Sequence, residues 1–238
     1  MSDVPIRQET GSPVWERRVI WQWPIRVFHW SFAASVVVLF PTGLWINRPW
    51  FTAGGSTDAY LMGWVRWLHF VAAAVFTVAF VLRVLWFFLG NAHARSGFPC
   101  VHSVRWWRDV LSQAGAYLRF DFRKPHVGHN ALAGLSYVLV PLLCGLLQIL
   151  TGLALFGSSD PGGFYDSAFG WVVPLFGGLF RTHMWHNLLS WLFAVFVILH
   201  VYIVVLDDRQ YRNGLISSMV SGAKFFRRPT RGKPTNGR

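Results

Sequence analysis

The residues of this chain most able to do chemistry are four histidines set in long apolar runs: His29, His69, His186 and His200. Two of them share the last long run, residues 182–206 (THMWHNLLSWLFAVFVILHVYIVVL), which has no formal charge and is long enough to cross a bilayer as one helix. The fourteen-residue step from His186 to His200 is just under four helical turns. Both imidazoles then point within roughly 40° of each other, about 21 Å apart along the axis. Polar groups at such depths are expensive and tend to be functional. An imidazole serves as an iron ligand when its bonding nitrogen is neutral and its other N–H is held by a carbonyl or hydroxyl. Two facing imidazoles at one depth suit the two axial positions of a b-type haem, and a filled coordination sphere favours electron transfer over oxygen chemistry. For any one histidine the alternative is a packed, hydrogen-bonded role without a metal.

The elements that must position these side chains follow from composition. Of 238 residues, 53% are hydrophobic, 17% aromatic and only 13% charged, with fourteen Trp. A soluble domain would carry about twice that charged fraction. The formal net charge of +12 sits almost wholly in tails and one loop beside apolar spans. That fits the positive-inside rule better than a nucleic-acid surface, so no nucleic-acid partner is expected. Cys100 and Cys144 form neither CxxC nor CxxCH, which argues against a disulfide framework, a thiolate metal site and covalent haem attachment. The start, MSDVPIRQETGSPVWERR, is too polar for a cleavable signal peptide, so the first span is expected to act as the signal.

The expected fold class is therefore an all-α integral membrane protein, a four-transmembrane-helix bundle with an amphipathic surface segment and basic cytoplasmic tails. Residues 1–20 read as the N-terminal tail, 21–206 as the membrane domain with helices at about 27–46, 60–89, 130–156 and 182–206, and 207–238 as the basic C-terminal tail with a disordered end. Trp21, Trp23 and Trp30 mark the first interface. Within the basic segment 91–129, VRWWRDVLSQAGAYL reads as a helix lying on the membrane surface. WVVPLFGGLF, before the last span, is too short to cross. Counting Arg26 at the first interface, the N-tail, the 91–129 segment and the C-tail hold eighteen of the twenty-two Lys and Arg. Four spans put all three on one side, with both termini cytoplasmic in a bacterial inner membrane.

Counting spans sorts the histidines by depth: His69 with His186 toward the outer face, His29 with His200 toward the inner one. Two such pairs imply two haem b groups, one above the other. His183, a turn outward of His186, sits about 100° from His200 around the helix and reads as an outer-surface residue near an electron donor. His129, at the start of the third span, is a candidate for proton delivery to a quinone. His93, His102 and His126 read as solvated. Arg66 is three residues from His69, and Arg83 repeats the fourteen-residue spacing toward the inner level. Either could meet haem propionates, with Arg83 also a candidate for a quinone carbonyl, or both could snorkel to the interfaces. PTGL at 41–44 and LTGL at 150–153 fall at matching outer ends of spans one and three. Gly43 and Gly152 there admit either something flat against the backbone or close helix packing.

RVFHW at 26–30, WLHF at 67–70, GHNALAGLSYVL at 128–139, LTGLALF at 150–156, HMWHNLLSW at 183–191, HVYIV at 200–204 and YRNGLISSMVSGAKFF at 211–226 resemble the membrane cytochrome b subunit of nickel–iron uptake hydrogenases, within the di-haem cytochrome b superfamily. The resemblance covers nearly the whole chain beyond the first twenty residues. It implies that His29, His69, His186 and His200 are axial ligands of two non-covalent b haems. It also implies that the chain docks a periplasmic small (iron–sulfur) and large (nickel–iron) subunit and passes electrons to a quinone, as an electron-transfer subunit rather than the hydrogen-splitting one. The four-histidine pattern is shared with the membrane subunit of formate dehydrogenase and with stand-alone quinol-oxidising cytochromes b, which are the alternatives.

Overall fold

A computed structural model describes residues 15–50, 60–90, 101–119, 131–211 and 214–227 of the chain. Four stretches are long and apolar enough to span a membrane: Trp23–Asn47, Leu61–Leu89, Ala131–Gly157 and Leu179–Gln210, with mean hydropathies of 1.6 to 2.6. The first is helix α1 (Trp23–Asn47) and the second α2 (Leu61–Leu89). On the surface between spans lies α3 (Val104–Leu118), capped by Ser103, whose Oγ accepts from the Trp106 N–H at 3.4 Å. Its Arg105, Arg108 and Asp109 are exposed while Val110 is buried, the division expected of a helix resting on an interface.

The third span is one helix with a widened middle: α4 (Ala131–Tyr137), a π-helical stretch (Val138–Cys144) and α5 (Gly145–Gly157). Pro141 lies in the wide part. Its missing N–H and its ring cannot be fitted into a regular α-turn, and a wider turn accommodates both. Two short helices, α6 (Phe164–Phe169) and α7 (Val172–Leu175), follow the third span before α8 (Leu179–Tyr211) returns. This last helix exceeds the expected 182–206 because the backbone continues through the polar Asp207, Asp208 and Arg209 beyond the apolar stretch.

Helix α1 packs along α2, and α5 packs along α8, while contact between these two hairpins is sparse. What joins them is an apolar layer at mid-depth. Phe76 of α2, Cys144, and Leu189 and Phe193 of α8 are buried there, with Phe32, Val36 and Leu39 of α1 against them. Phe76 meets Phe32 edge-on at 4.9 Å and Phe193 at 6.0 Å between ring centroids.

The chain ends are organised where they are described. Strand β1 (Trp15–Val19) pairs antiparallel with β2 (Ala223–Arg227), with Val19 opposite Ala223 and Arg17 opposite Phe225. Residues 15–19 and 223–227 therefore lie on one side of the bundle. Within the segments read as tails, residues 15–19 and 214–227 form a clasp. Its reason is local: helix α9 (Leu215–Ser221) is bracketed by Gly214 and Gly222 at φ 74° and 80°, left-handed conformations that suit glycine. The Gly222 carbonyl accepts from the N–H groups of Ile20 and Trp21 at 2.8 and 3.0 Å. Arg26 Nη1 donates to the Val220 carbonyl, and Trp30 Nε1 to that of Met219 at 3.0 Å. Lys224 is 2% exposed, its Nζ 5.9 Å from the centre of the Trp21 ring. Burial pulls its ammonium below the usual lysine range, and Asp207 and Asp208 pull it back. The disorder expected at the extreme C-terminus concerns residues outside those described.

Removing the central ring of the mid-depth layer should be felt as a cavity. Lipid is as apolar as the site, so the transfer part of the penalty seen in soluble proteins is absent and the cavity part dominates. We expect Phe76→Ala to destabilise the bundle by about 2–3 kcal/mol, read as a lowered unfolding midpoint in detergent. An unchanged midpoint would mean that the layer carries no packing energy.

Candidate functional site

The two upper histidines are each held by the helix beside them in their own hairpin. His69 on α2 meets Thr42 on α1, with Nδ1 and Oγ1 2.9 Å apart. His186 on α8 meets Thr151 on α5 at the same 2.9 Å. Both threonines are buried, Thr151 completely. Each hydroxyl is also 2.7 Å from the carbonyl four residues back, Thr42 from Val38 and Thr151 from Leu147. Two oxygens approach that closely only with a hydrogen between them, and the threonine has the only one. Its proton being committed to the carbonyl, the threonine oxygen must accept, so the imidazole donates from Nδ1–H. The tautomer is thereby set on both rings: Nδ1 carries the hydrogen and Nε2 carries the lone pair. Gln148 agrees with this, its Nε2 facing the His186 Nε2 at 3.3 Å as a donor faces a lone pair.

The residue after each threonine is glycine, and it is there for the ring. A Cβ on Gly43 would stand 3.3 Å from His69 Cε1, and one on Gly152 3.1 Å from His186 Cε1. The flat group that approaches these backbones is the histidine itself. Both readings of the glycines thus meet in one contact, a close helix pair with an imidazole wedged into it.

At the lower level His29 and His200 face each other across the hairpins, ring centroids 6.4 Å apart and planes at 51°. His200 stacks on Phe196, one turn away, at 5.6 Å and 17°. Trp30 meets His29 edge-on at 5.2 Å. The buried Nδ1 of His29 has no hydrogen-bond partner among the described residues. A metal held between two imidazoles separates their centroids by two bonds of about 2 Å and two ring radii of about 1.2 Å, roughly 6.4 Å in all. The spacing of His29 and His200 fits that. The donor set fits as well: neutral imidazoles, two with their lone pairs fixed, in an apolar surround, are what a bis-histidine haem requires.

His186 lies within electrostatic reach of both His69 and His183. His183 itself is exposed, as is Arg66. The guanidinium of Arg83 lies over the Tyr137 ring, 5.2 Å from its centroid, which ties α2 to the start of the third span. His129, His93 and His126 lie outside the described residues, while His102 is exposed. Sequence reasoning missed Thr42, Thr151 and Gln148. The signal for the threonines was present in the repeated Thr-Gly step of PTGL and LTGL, read there for its glycines alone.

Alanine at either glycine should push the ring off its threonine. The Gly152→Ala contact is the tighter, so we expect it to cost about 1 kcal/mol, the net worth of one such hydrogen bond, and Gly43→Ala somewhat less. Unfolding of the purified variants in detergent checks the order. Equal stability of both variants and the parent would mean that the rings do not rest on the backbone.

Residues 20–222 match the family described as prokaryotic cytochrome b561. The chain is 38% identical over 226 residues to the probable Ni/Fe-hydrogenase B-type cytochrome subunit of Azotobacter chroococcum mcd 1, covering 93% of this chain and 92% of the relative. With the corresponding subunit of Cupriavidus necator it shares 37% identity over 212 residues, 87% of each chain. With the probable Ni/Fe-hydrogenase 1 B-type cytochrome subunit of Escherichia coli K12 it shares 33% over 211 residues, 85% of this chain and 88% of the relative. Four apolar spans and matches over this length lead to one conclusion: the chain belongs to the Ni/Fe-hydrogenase B-type cytochrome family, the prokaryotic cytochromes b561.

Proposed function

We propose that this chain is the membrane electron-transfer subunit of a nickel–iron hydrogenase, carrying electrons from a periplasmic iron–sulfur subunit to the quinone pool. In this reading His69 and His186 hold an outer haem b, and His29 and His200 hold an inner one. The observation that carries it is the 6.4 Å separation of the His29 and His200 rings across two hairpins that otherwise touch sparsely. The names of the relatives support the choice of hydrogenase as the partner complex, with the small and large subunits docking on the outer face.

A bound haem b with both axial positions filled supplies one-electron transfer without an open site for oxygen. The chain's own residues do the rest. Thr42 and Thr151 keep the outer lone pairs directed, and the layer around Phe76 keeps water from joining the two levels. In the same reading Arg66, a turn from His69, and Arg83 would hold propionates, with Arg83 and His129 on the quinone side and His183 on the donor side. The concentration of basic residues in the 91–129 segment and the tails puts these segments, and both termini, in the cytoplasm.

Replacing each histidine in turn by alanine tests the ligand assignment. Haem stoichiometry from reduced spectra should show His69→Ala and His186→Ala losing one haem, and His29→Ala and His200→Ala the other. Protein made with ample haem that shows no b-type absorption would end the proposal. Co-purification separates the donors: a nickel–iron pair is expected with the tagged chain, and a formate dehydrogenase in its place would move the chain to the alternative complex.

A further inference from the structure

We infer that Thr42 and Thr151 are positioning residues that tune the outer haem, and that they lower its reduction potential through the histidines they hold. The inference rests on the ligand assignment just made. Its grounds are a pair of matching contacts on different helices. In each, a buried threonine hydroxyl spends its proton on the carbonyl four residues back, at 2.7 Å, and accepts Nδ1–H from the imidazole of the neighbouring helix at 2.9 Å. In each, the next residue is a glycine whose missing Cβ lets the ring reach that distance.

An acceptor on Nδ1–H does two things to an imidazole. It fixes the ring's rotation, so that Nε2 points in one direction, and it draws the N–H proton outward, which makes Nε2 the stronger donor. A stronger axial donor favours the ferric over the ferrous state, and second-sphere hydrogen bonds of this kind are among the levers a protein has over haem potential. Both outer ligands receive this treatment. At the inner level, the Nδ1 of His29 is buried without a partner among the described residues. Of the inner ligands, His29 therefore lacks the push that both outer ones receive.

The test replaces each threonine by valine, which keeps the shape and removes the acceptor, and by serine, which restores it. Potentiometric titration of the purified full-length chain, followed in the b-type absorption and by electron paramagnetic resonance of the ferric haems, gives the readout. We expect Thr42→Val and Thr151→Val each to raise the potential of one and the same haem and to alter its low-spin signal, with the other haem unmoved. Thr42→Ser and Thr151→Ser should leave both close to the parent. Loss of that one haem in both valine variants, with retention in both serine variants, would support the same conclusion. Unchanged potentials with both haems present, shifts that fall on two different haems, or serine variants no better than valine would each overturn it. The histidine series separates the two levels of inference. If His69→Ala and His186→Ala each lose one haem while the valine variants are silent, only the role of the threonines fails. If those alanine variants retain both haems, the ligand assignment itself fails.

Discussion

A histidine inside a hydrocarbon layer has two nitrogens to satisfy and no water to do it. If one nitrogen is to stay free as a donor, the other must find an acceptor within the protein, or a buried N–H is left unpaired at a penalty of about 1–3 kcal/mol. That constraint explains the half of this bundle around His69 and His186. Most carbonyls in a helix interior are already bonded along the backbone. A threonine gets round this by sharing the carbonyl four residues back and exposing its own oxygen as a relay. Thr42 and Thr151 do so at 2.7 Å to the carbonyl and 2.9 Å to the imidazole. The relay reaches only if two helix backbones come close, and Gly43 and Gly152 permit it.

The arrangement of helices follows from the same need. Each hairpin is internally complete: α1 holds the histidine of α2, and α5 holds the histidine of α8. The hairpins then rely on the Phe32–Phe76–Phe193 layer for direct contact. In a membrane, where lipid competes equally for apolar side chains, such contact holds by fit rather than by the hydrophobic effect. A flat cofactor spanning the seam at each level would supply the remaining cohesion, and the sparse direct packing between hairpins accords with that.

The inner side is built differently. There the chain ends are drawn together by β1 and β2, and Arg26 and Trp30 on either side of His29 bond to the last carbonyls of α9. Those bonds close two of the open carbonyls that every helix end leaves, and they anchor the first turns of α1, where His29 sits. Orientation of the inner histidines thus depends on a surface clasp and on aromatic neighbours, whereas that of the outer ones depends on buried threonines.

Much of this was legible in the residues alone. Apolar length and the near-absence of charge determined four spans, the fourteen-residue step placed two histidines on one face of one helix, and the basic residues gathered into three segments, because hydropathy and helical period are local properties of the chain. The amphipathic helix at 104–118 was legible for the same reason. The role of Thr42 and Thr151 was not, because threonine in a membrane helix ordinarily bonds its own backbone, and nothing along the chain says that a ring from another helix comes to share it. Nor was the clasp, since the pairing of residues 15–19 with 223–227 joins segments two hundred residues apart whose strands are too short and polar to stand out. Sequence by itself determined which groups lie at which depth. Only the tertiary structure decided which nitrogen of each outer histidine carries the proton, since that depends on an oxygen supplied by a neighbouring helix.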